Sequence, residues 1–261
     1  MLLLISSLLL MSCGADKYMK KGEKFLALGE YYDAADQFKQ AYTRTPAKER
    51  DTRGKRALKM AQCYQRINAT PKAIAAYRNA IRYNQAAKED QLAYARQLLK
   101  NGDYRQAEKV FLMLKDSMPG NQLVANGLKS AQMAPEWKKQ GSRYIVKRMD
   151  VFNSRRHDYS PVLFGDDYDQ LYFTSTRNEA LGDELSGITG TKAGDIFLSE
   201  KDDRGKWSKP EAIGTGLNTD YDEGACCFTP DGREMYLTQC VTDPSSPRYA
   251  QIAPSPRSDA A

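Results

Sequence analysis

The chain has 261 residues, with 39 Lys and Arg against 33 Asp and Glu, for a net charge of +6. Apolar residues make up 41%, a globular composition that excludes a disordered or collagen-like chain. Five cysteines exclude a disulfide-dense scaffold, and a single histidine, His157, argues against a histidine-based metal centre and leaves one histidine for general-base chemistry.

The charge is unevenly spread. Gly14–Trp137 holds 23 basic and 13 acidic residues (+10), and Lys138–Ala261 holds 16 and 20 (−4). Such asymmetry predicts two modules. No Lys/Arg run of the kind that grips nucleic acid is present, so nucleic acid is not an expected partner.

Residues 2–12 read Leu-Leu-Leu-Ile-Ser-Ser-Leu-Leu-Leu-Met-Ser and lead to Cys13. Eleven residues are too few to cross a hydrocarbon core, which needs about 20. They fit the apolar region of a secretory signal. No Lys or Arg precedes the run, so a start upstream of Met1 is expected. Leu10-Met11-Ser12-Cys13, followed by Gly14, resembles a bacterial lipobox. The resemblance implies a signal peptide over 1–12 and a lipidated Cys13 that tethers the chain to a membrane.

A helical pattern recurs through 13–135. Gly29-Glu30-Tyr31-Tyr32-Asp33-Ala34 continues to Phe38 and Ala41 and ends at Pro46, with Tyr18, Gly22 and Phe25 upstream. The pattern returns at Ala73, Tyr77 and Ala80 with Ala61 and Tyr64 upstream. It returns again at Gly102-Asp103-Tyr104, Ala107 and Phe111, with Ala95 upstream and Pro119 downstream. The key alanines Ala34, Ala73 and Ala107 are 39 and 34 residues apart, so about five extra residues are expected around Lys48–Arg53. Small residues at Gly22, Ala61 and Ala95 allow close helix contact, and the aromatic four residues after each key alanine is expected to plug the next hairpin. Pro46 and Pro119 close helices, and Asn121–Gln132 reads as a cap helix. The pattern resembles the tetratricopeptide repeat (TPR), in which the first helix of each pair lines a concave groove. That resemblance puts Met19, Glu23 and Leu26, then Leu58, Gln62 and Arg66, then Leu92, Arg96 and Lys100 in the groove. The mixed apolar and cationic surface suits an extended or helical peptide carrying acidic groups.

Over 136–240 the texture becomes short β-rich runs. Two stretches align at an offset of 64, with Asp158/Asp222, Phe164/Phe228, Asp167/Asp231, Tyr172/Tyr236 and Thr174/Thr238 identical. Pro230-Asp231-Gly232 signals a tight hairpin, which the first copy replaces with Asp166-Asp167-Tyr168. Gly194–Glu200 and Ala212-Ile213 read as further strands, and Asn178–Gly194 as an inserted loop. The unit resembles WD40-like repeats of bacterial β-propellers. The reading is an α + β multidomain chain: a TPR α-solenoid, then an incomplete WD40-like propeller of about two blades, then a disordered or truncated tail over 241–261. A closed propeller takes at least four blades, so a longer protein is expected.

Catalytic and metal signals are weak. His157 and Ser160 lack a nucleophile-elbow context, and Asp166, Asp167 and Asp169 lack the spacing of a calcium loop. Cys226 and Cys227 point to opposite faces of a strand, and neither pairs with Cys63 or Cys240 at a zinc spacing. Buried thiols or one disulfide account for them. No Gly-rich phosphate loop is present, no cofactor is expected, and enzymatic activity is not.

The order of lipobox, TPR and WD40-like repeats resembles the OmpA-family outer-membrane lipoproteins of Bacteroidetes, among them the PorE-type components of type IX secretion. The resemblance implies an outer-membrane lipoprotein facing the periplasm that binds other envelope or secretion-system proteins. Nothing in this chain corresponds to the peptidoglycan-binding Asp and Arg of the OmpA-like domain, so peptidoglycan is not carried over as a partner. The alternative is a periplasmic propeller protein that recognises a peptide or glycan.

Overall fold

The computed structural model describes residues 2–214, 216–241 and 249–256, with side chains from Gly14 onward except those of Val241 and Tyr249. The Cys13 side chain and much of the tail lie outside the described residues. The chain divides into two compact units: residues 1–144 with 187–189, and residues 145–186 with 190–261.

Among the described residues the first unit is seven helices: α1 (Leu2–Ala27), α2 (Tyr31–Arg44), α3 (Arg50–Arg66), α4 (Thr70–Arg82), α5 (Lys88–Asn101), α6 (Tyr104–Ser117) and α7 (Gln122–Gln140). Each packs on the next, as consecutive antiparallel hairpins do. Among the described residues, no helix is long and apolar enough to cross a membrane. The key alanines Ala34, Ala73 and Ala107 are fully buried in one continuous core with Phe38, Tyr77 and Phe111. Helices α2 and α6 stop just before Pro46 and Pro119, in line with the sequence.

Two details differ from expectation. The extra residues after the first repeat form an additional turn, Arg50–Arg53, at the start of α3. Arg53 turns back there, its Nη1 donating to the Thr45 carbonyl at 2.6 Å and its guanidinium lying 4.2 Å from the Tyr42 ring centre. The helix expected over Asn121–Gln132 runs on to Gln140 through Pro135, with Asn121 capping its start by accepting from Leu123 N and Val124 N. Phe38 seats on Gly22 of its own hairpin, within a core that continues into Ala61 and Tyr64 of α3. Tyr77 and Phe111 reach forward: Tyr77 lies 6.5 Å from the Tyr94 ring on α5, and Phe111 covers Gly127 on α7.

The second unit holds two antiparallel sheets. One is β1 (Asp158–Phe164), β2 (Gln170–Ser175), β3 (Asp195–Glu200) and β4 (Glu211–Ala212) in that order. The other is β5 (Glu223–Phe228), β6 (Glu234–Val241) and β7 (Tyr249–Pro256). Strand β7 lies in the tail expected to lack order. Its Pro254 and Pro256 are tolerated because it is an edge strand, where a missing N–H costs no ladder bond.

The offset of 64 holds for β2 against β6 and fails for β1 against β5. Both first strands carry a bulge with a left-handed residue, Ser160 (φ 51°) and Ala225 (φ 48°), which are 65 residues apart. Asp158 pairs with Ser175, and Glu223 pairs with Gln239. Asp158 therefore corresponds to Glu223 and not to Asp222, because the first hairpin turn is one residue longer. Phe164 and Phe228 are not equivalent positions; they stack on each other with ring centres 4.1 Å apart.

A Cβ at Gly22 would sit 2.6 Å from the Phe38 ring, and one at Gly127 would overlap Phe111. Gly127→Val should cost about 1–3 kcal/mol through overpacking, despite valine's better helix propensity. Urea unfolding monitored by circular dichroism checks this; a variant as stable as wild type would contradict it.

Candidate functional site

Helices α1, α3 and α5 are the first helices of the three hairpins, and the sequence-derived groove residues lie on them. Met19, Leu26 and Leu58 are half-buried and pack against the core. Leu92 is only 7% exposed and belongs to the core itself. Glu23, Gln62, Arg66, Arg96 and Lys100 are exposed. What this surface offers a ligand is therefore polar, with apolar side chains forming its floor.

Neighbouring hairpins are linked across this surface. Gln62 Nε2 donates to Asp90 Oδ1 at 3.2 Å, joining α3 to α5, while Asp90 Oδ2 accepts from Ala87 N at 3.0 Å and caps α5. Lys100 Nζ donates to Asn68 Oδ1 at 2.6 Å, and the Arg66 guanidinium lies 5.8 Å from the Tyr31 ring centre. Among the described residues, none of Arg66, Arg96 and Lys100 has a carboxylate in ion-pair range. The second and third hairpins thus present three cations without ion pairs among the described residues, together with Asp90, and the first presents Glu23.

Arg56 was not singled out from sequence, yet it ties three helices together. It is buried, donates to the Ala41 carbonyl at 3.2 Å and to Thr45 Oγ1, and pairs with Asp16. Its place beside other basic residues in sequence gives no hint of this burial.

The second unit holds two carboxylates at corresponding positions with opposite electrostatics. Asp158 accepts from Ser154 N (2.7 Å), Ser154 Oγ (3.0 Å) and Ser175 Oγ (2.7 Å), and pairs with Arg177 Nη2 at 2.8 Å. Arg177 is itself buried, with its guanidinium 4.7 Å and 5.1 Å from the Phe197 and Phe173 ring centres. Burial pushes the Asp158 carboxyl up, but these donors outweigh it and hold the group below the usual range. Glu223, 1% exposed, accepts from Thr219 N and Oγ1, both at 2.7 Å, and no cation faces it among the groups that set its titration. Burial raises it. Asp195, fully buried, accepts from Leu181 N at 2.7 Å through Oδ2, while Oδ1 has no partner. Burial first, then the charges of Glu223 and Asp222, push Asp195 up to about 6 against the Leu181 bond and Lys192.

His157 is exposed, and no hydrogen bond joins it to Ser160 among the described residues. Asp166, Asp167 and Asp169 are exposed in the β1–β2 turn, and no group of three metal-ligating side chains gathers among the described residues. Cys63 and Cys226 are buried thiols, with burial pushing each up to about 11, and Cys227 faces outward as the strand alternation requires. Cys240 is half-buried. A cavity of about 390 Å³ within this unit is lined by Phe164, Tyr172, Phe228 and Met235.

No protein-family model matches the chain, and no curated protein matches it. Solved structures that resemble it contain TPR domains. The C-terminal TPR-containing domain of a Plasmodium falciparum FK506-binding protein is 15% identical, covering 50% of this chain and 94% of its own, with a TM-score of 0.42. The first TPR of Spaghetti, bound to an HSP90 peptide, is 18% identical over 48% of this chain and 95% of its own, at 0.39. The Sgt2 TPR domain of Aspergillus fumigatus is 18% identical over 54% and 91%, at 0.38.

The raised carboxyls set a pH dependence. Folded Asp195 holds its proton more tightly than the unfolded chain, whose Asp titrates at about 3.9. Its stabilising contribution is complete below that pH and is lost as pH rises through about 6. Asp158 acts in the opposite sense, its contribution being lost only in stronger acid. Between about pH 4 and pH 7 the second unit should lose roughly 2–3 kcal/mol, and Asp195→Asn should flatten that slope. Urea midpoints across this range test it; an unchanged slope in the variant would refute the assignment.

Proposed function

We propose that this chain is a non-enzymatic, lipid-anchored envelope scaffold whose helical repeats dock acidic segments of partner proteins. The observation that carries the reading is the exposed row Arg66, Arg96 and Lys100 on successive first helices, with no acidic partner among the described residues. Unpaired cations on a rigid helical face favour an acidic segment and speed its encounter. Glu23 on the first hairpin repels the same charge and so gives the segment a direction along the surface.

The remaining parts of the proposal rest on the sequence. The lipobox at Leu10–Cys13 supports acylation of Cys13 and an outer-membrane location facing the periplasm. The WD40-like texture of 136–240 supports reading the two sheets as propeller blades. The order of the parts supports a place in a type IX secretion or related outer-membrane assembly.

Arg66→Glu combined with Arg96→Glu should weaken capture of acidic partners by about tenfold or more while leaving the fold intact, since exposed substitutions usually cost under about 0.5 kcal/mol. Pull-down from membrane extracts checks this, with circular dichroism as the folding control. Equal capture by wild type and variant would sink the docking surface. Separately, Cys13→Ser should move the protein from the membrane pellet to the soluble fraction, and a variant that stays in the pellet would remove the anchor.

A further inference from the structure

Helix α7 occupies the place of a first helix in a further hairpin. Gly127 of α7 lies under the Phe111 ring of the preceding helix α6, so α7 packs on α6 as α5 packs on α4. Helices α1, α3 and α5 each pack against the second helix of their own hairpin. Among the described residues, no such helix follows α7 in this unit. The surface between α6 and α7 is an open groove of about 390 Å³. Met118, Val124 and Leu128 form its apolar floor, and Lys115 and Lys129 stand at its rim. Met118 and Leu128 are half-buried at the margin of the core. Neither lysine is ion-paired among the described residues.

We propose that this groove docks an amphipathic helix of a partner protein, with its apolar stripe on Met118 and Leu128 above the buried Val124 and its flanking carboxylates at Lys115 and Lys129. A helix is the fitting occupant because second helices already pack on the first helix of every other hairpin, ridge into groove. The two rim lysines select acidic over basic flanks. The site is separate from the Arg66–Arg96–Lys100 row and stands without it.

The test is fluorescence anisotropy of a synthetic amphipathic peptide, with leucines along one face and glutamates beside them, titrated with the full chain. Saturable binding is expected. Lys115→Glu with Lys129→Glu should weaken it by about tenfold or more and favour a matched peptide carrying lysines instead of glutamates. Ala125→Trp, which fills the groove from an exposed position, should weaken binding without any change of charge. Arg66→Glu with Arg96→Glu should leave it unchanged. Absence of saturable binding, or equal binding by both groove variants and wild type, overturns the proposal. So does loss in the Arg66/Arg96 variant alone, which would put the probe on the other surface. A concentration-dependent dimer of the wild-type chain that Ala125→Trp abolishes also overturns it, making a second copy the occupant.

Discussion

Aromatic rings seated on bare backbone set the spacing of the helical stack. Phe38 lies against Gly22 and Phe111 against Gly127, each where a Cβ would collide with the ring. Between these two contacts the small residues are alanines, and the fully buried Ala61, Ala73, Ala95 and Ala107 keep the middle hairpins close. Interaxial distance follows the side chains at the contact. The pitch of the first helices, and so the spacing of Arg66, Arg96 and Lys100 along the exposed face, follows from these few positions. Arg56 adds a polar tie to the same packing by holding α1, α2 and α3 together from within.

The two sheets of the second unit show how one backbone position can carry opposite electrostatics. Asp158 and Glu223 begin corresponding strands, and each is gripped by a hydroxyl residue four places earlier, Ser154 or Thr219. A buried arginine stands beside Asp158 and none beside Glu223. The first carboxylate is therefore held below the usual carboxylate range, while burial raises the second, as it raises Asp195. Burial and a neighbouring like charge both disfavour the ionised form of a carboxyl group.

Charge also divides the surfaces of the first unit. The face of α3 and α5 offers cations along a polar row over an apolar floor. The groove between α6 and α7 offers apolar side chains with two cations at the rim. These differ in the occupant they suit, an extended acidic segment in one and an amphipathic helix in the other, because one surface is lined by exposed side chains on successive helices and the other by a helix face left uncovered.

Much of the helical unit was legible in the sequence, because the repeat is written in residue size: alanine or glycine where helices touch, an aromatic four residues after each key alanine, proline after the turn. The exposure of Gln62, Arg66, Arg96 and Lys100 was legible, since helical periodicity dictates which residues share a face. The same periodicity did not show that packing buries Leu92 in the core. The strands of the second unit were legible from their apolar runs and turn residues, while their correspondence was not. Five identities favoured an offset of 64, yet a first hairpin turn one residue longer puts the first strands, bulges included, at 65. The sequence by itself determined the helix faces, the hairpin repeats and the charge each unit carries, because these depend on neighbours a few residues away. Only the tertiary structure decided that Arg56 and Arg177 are buried, that Asp195 and Glu223 are buried without an ion pair among the described residues, and that α7 leaves a groove open. Those depend on residues far apart in the chain, and burial sets their energies.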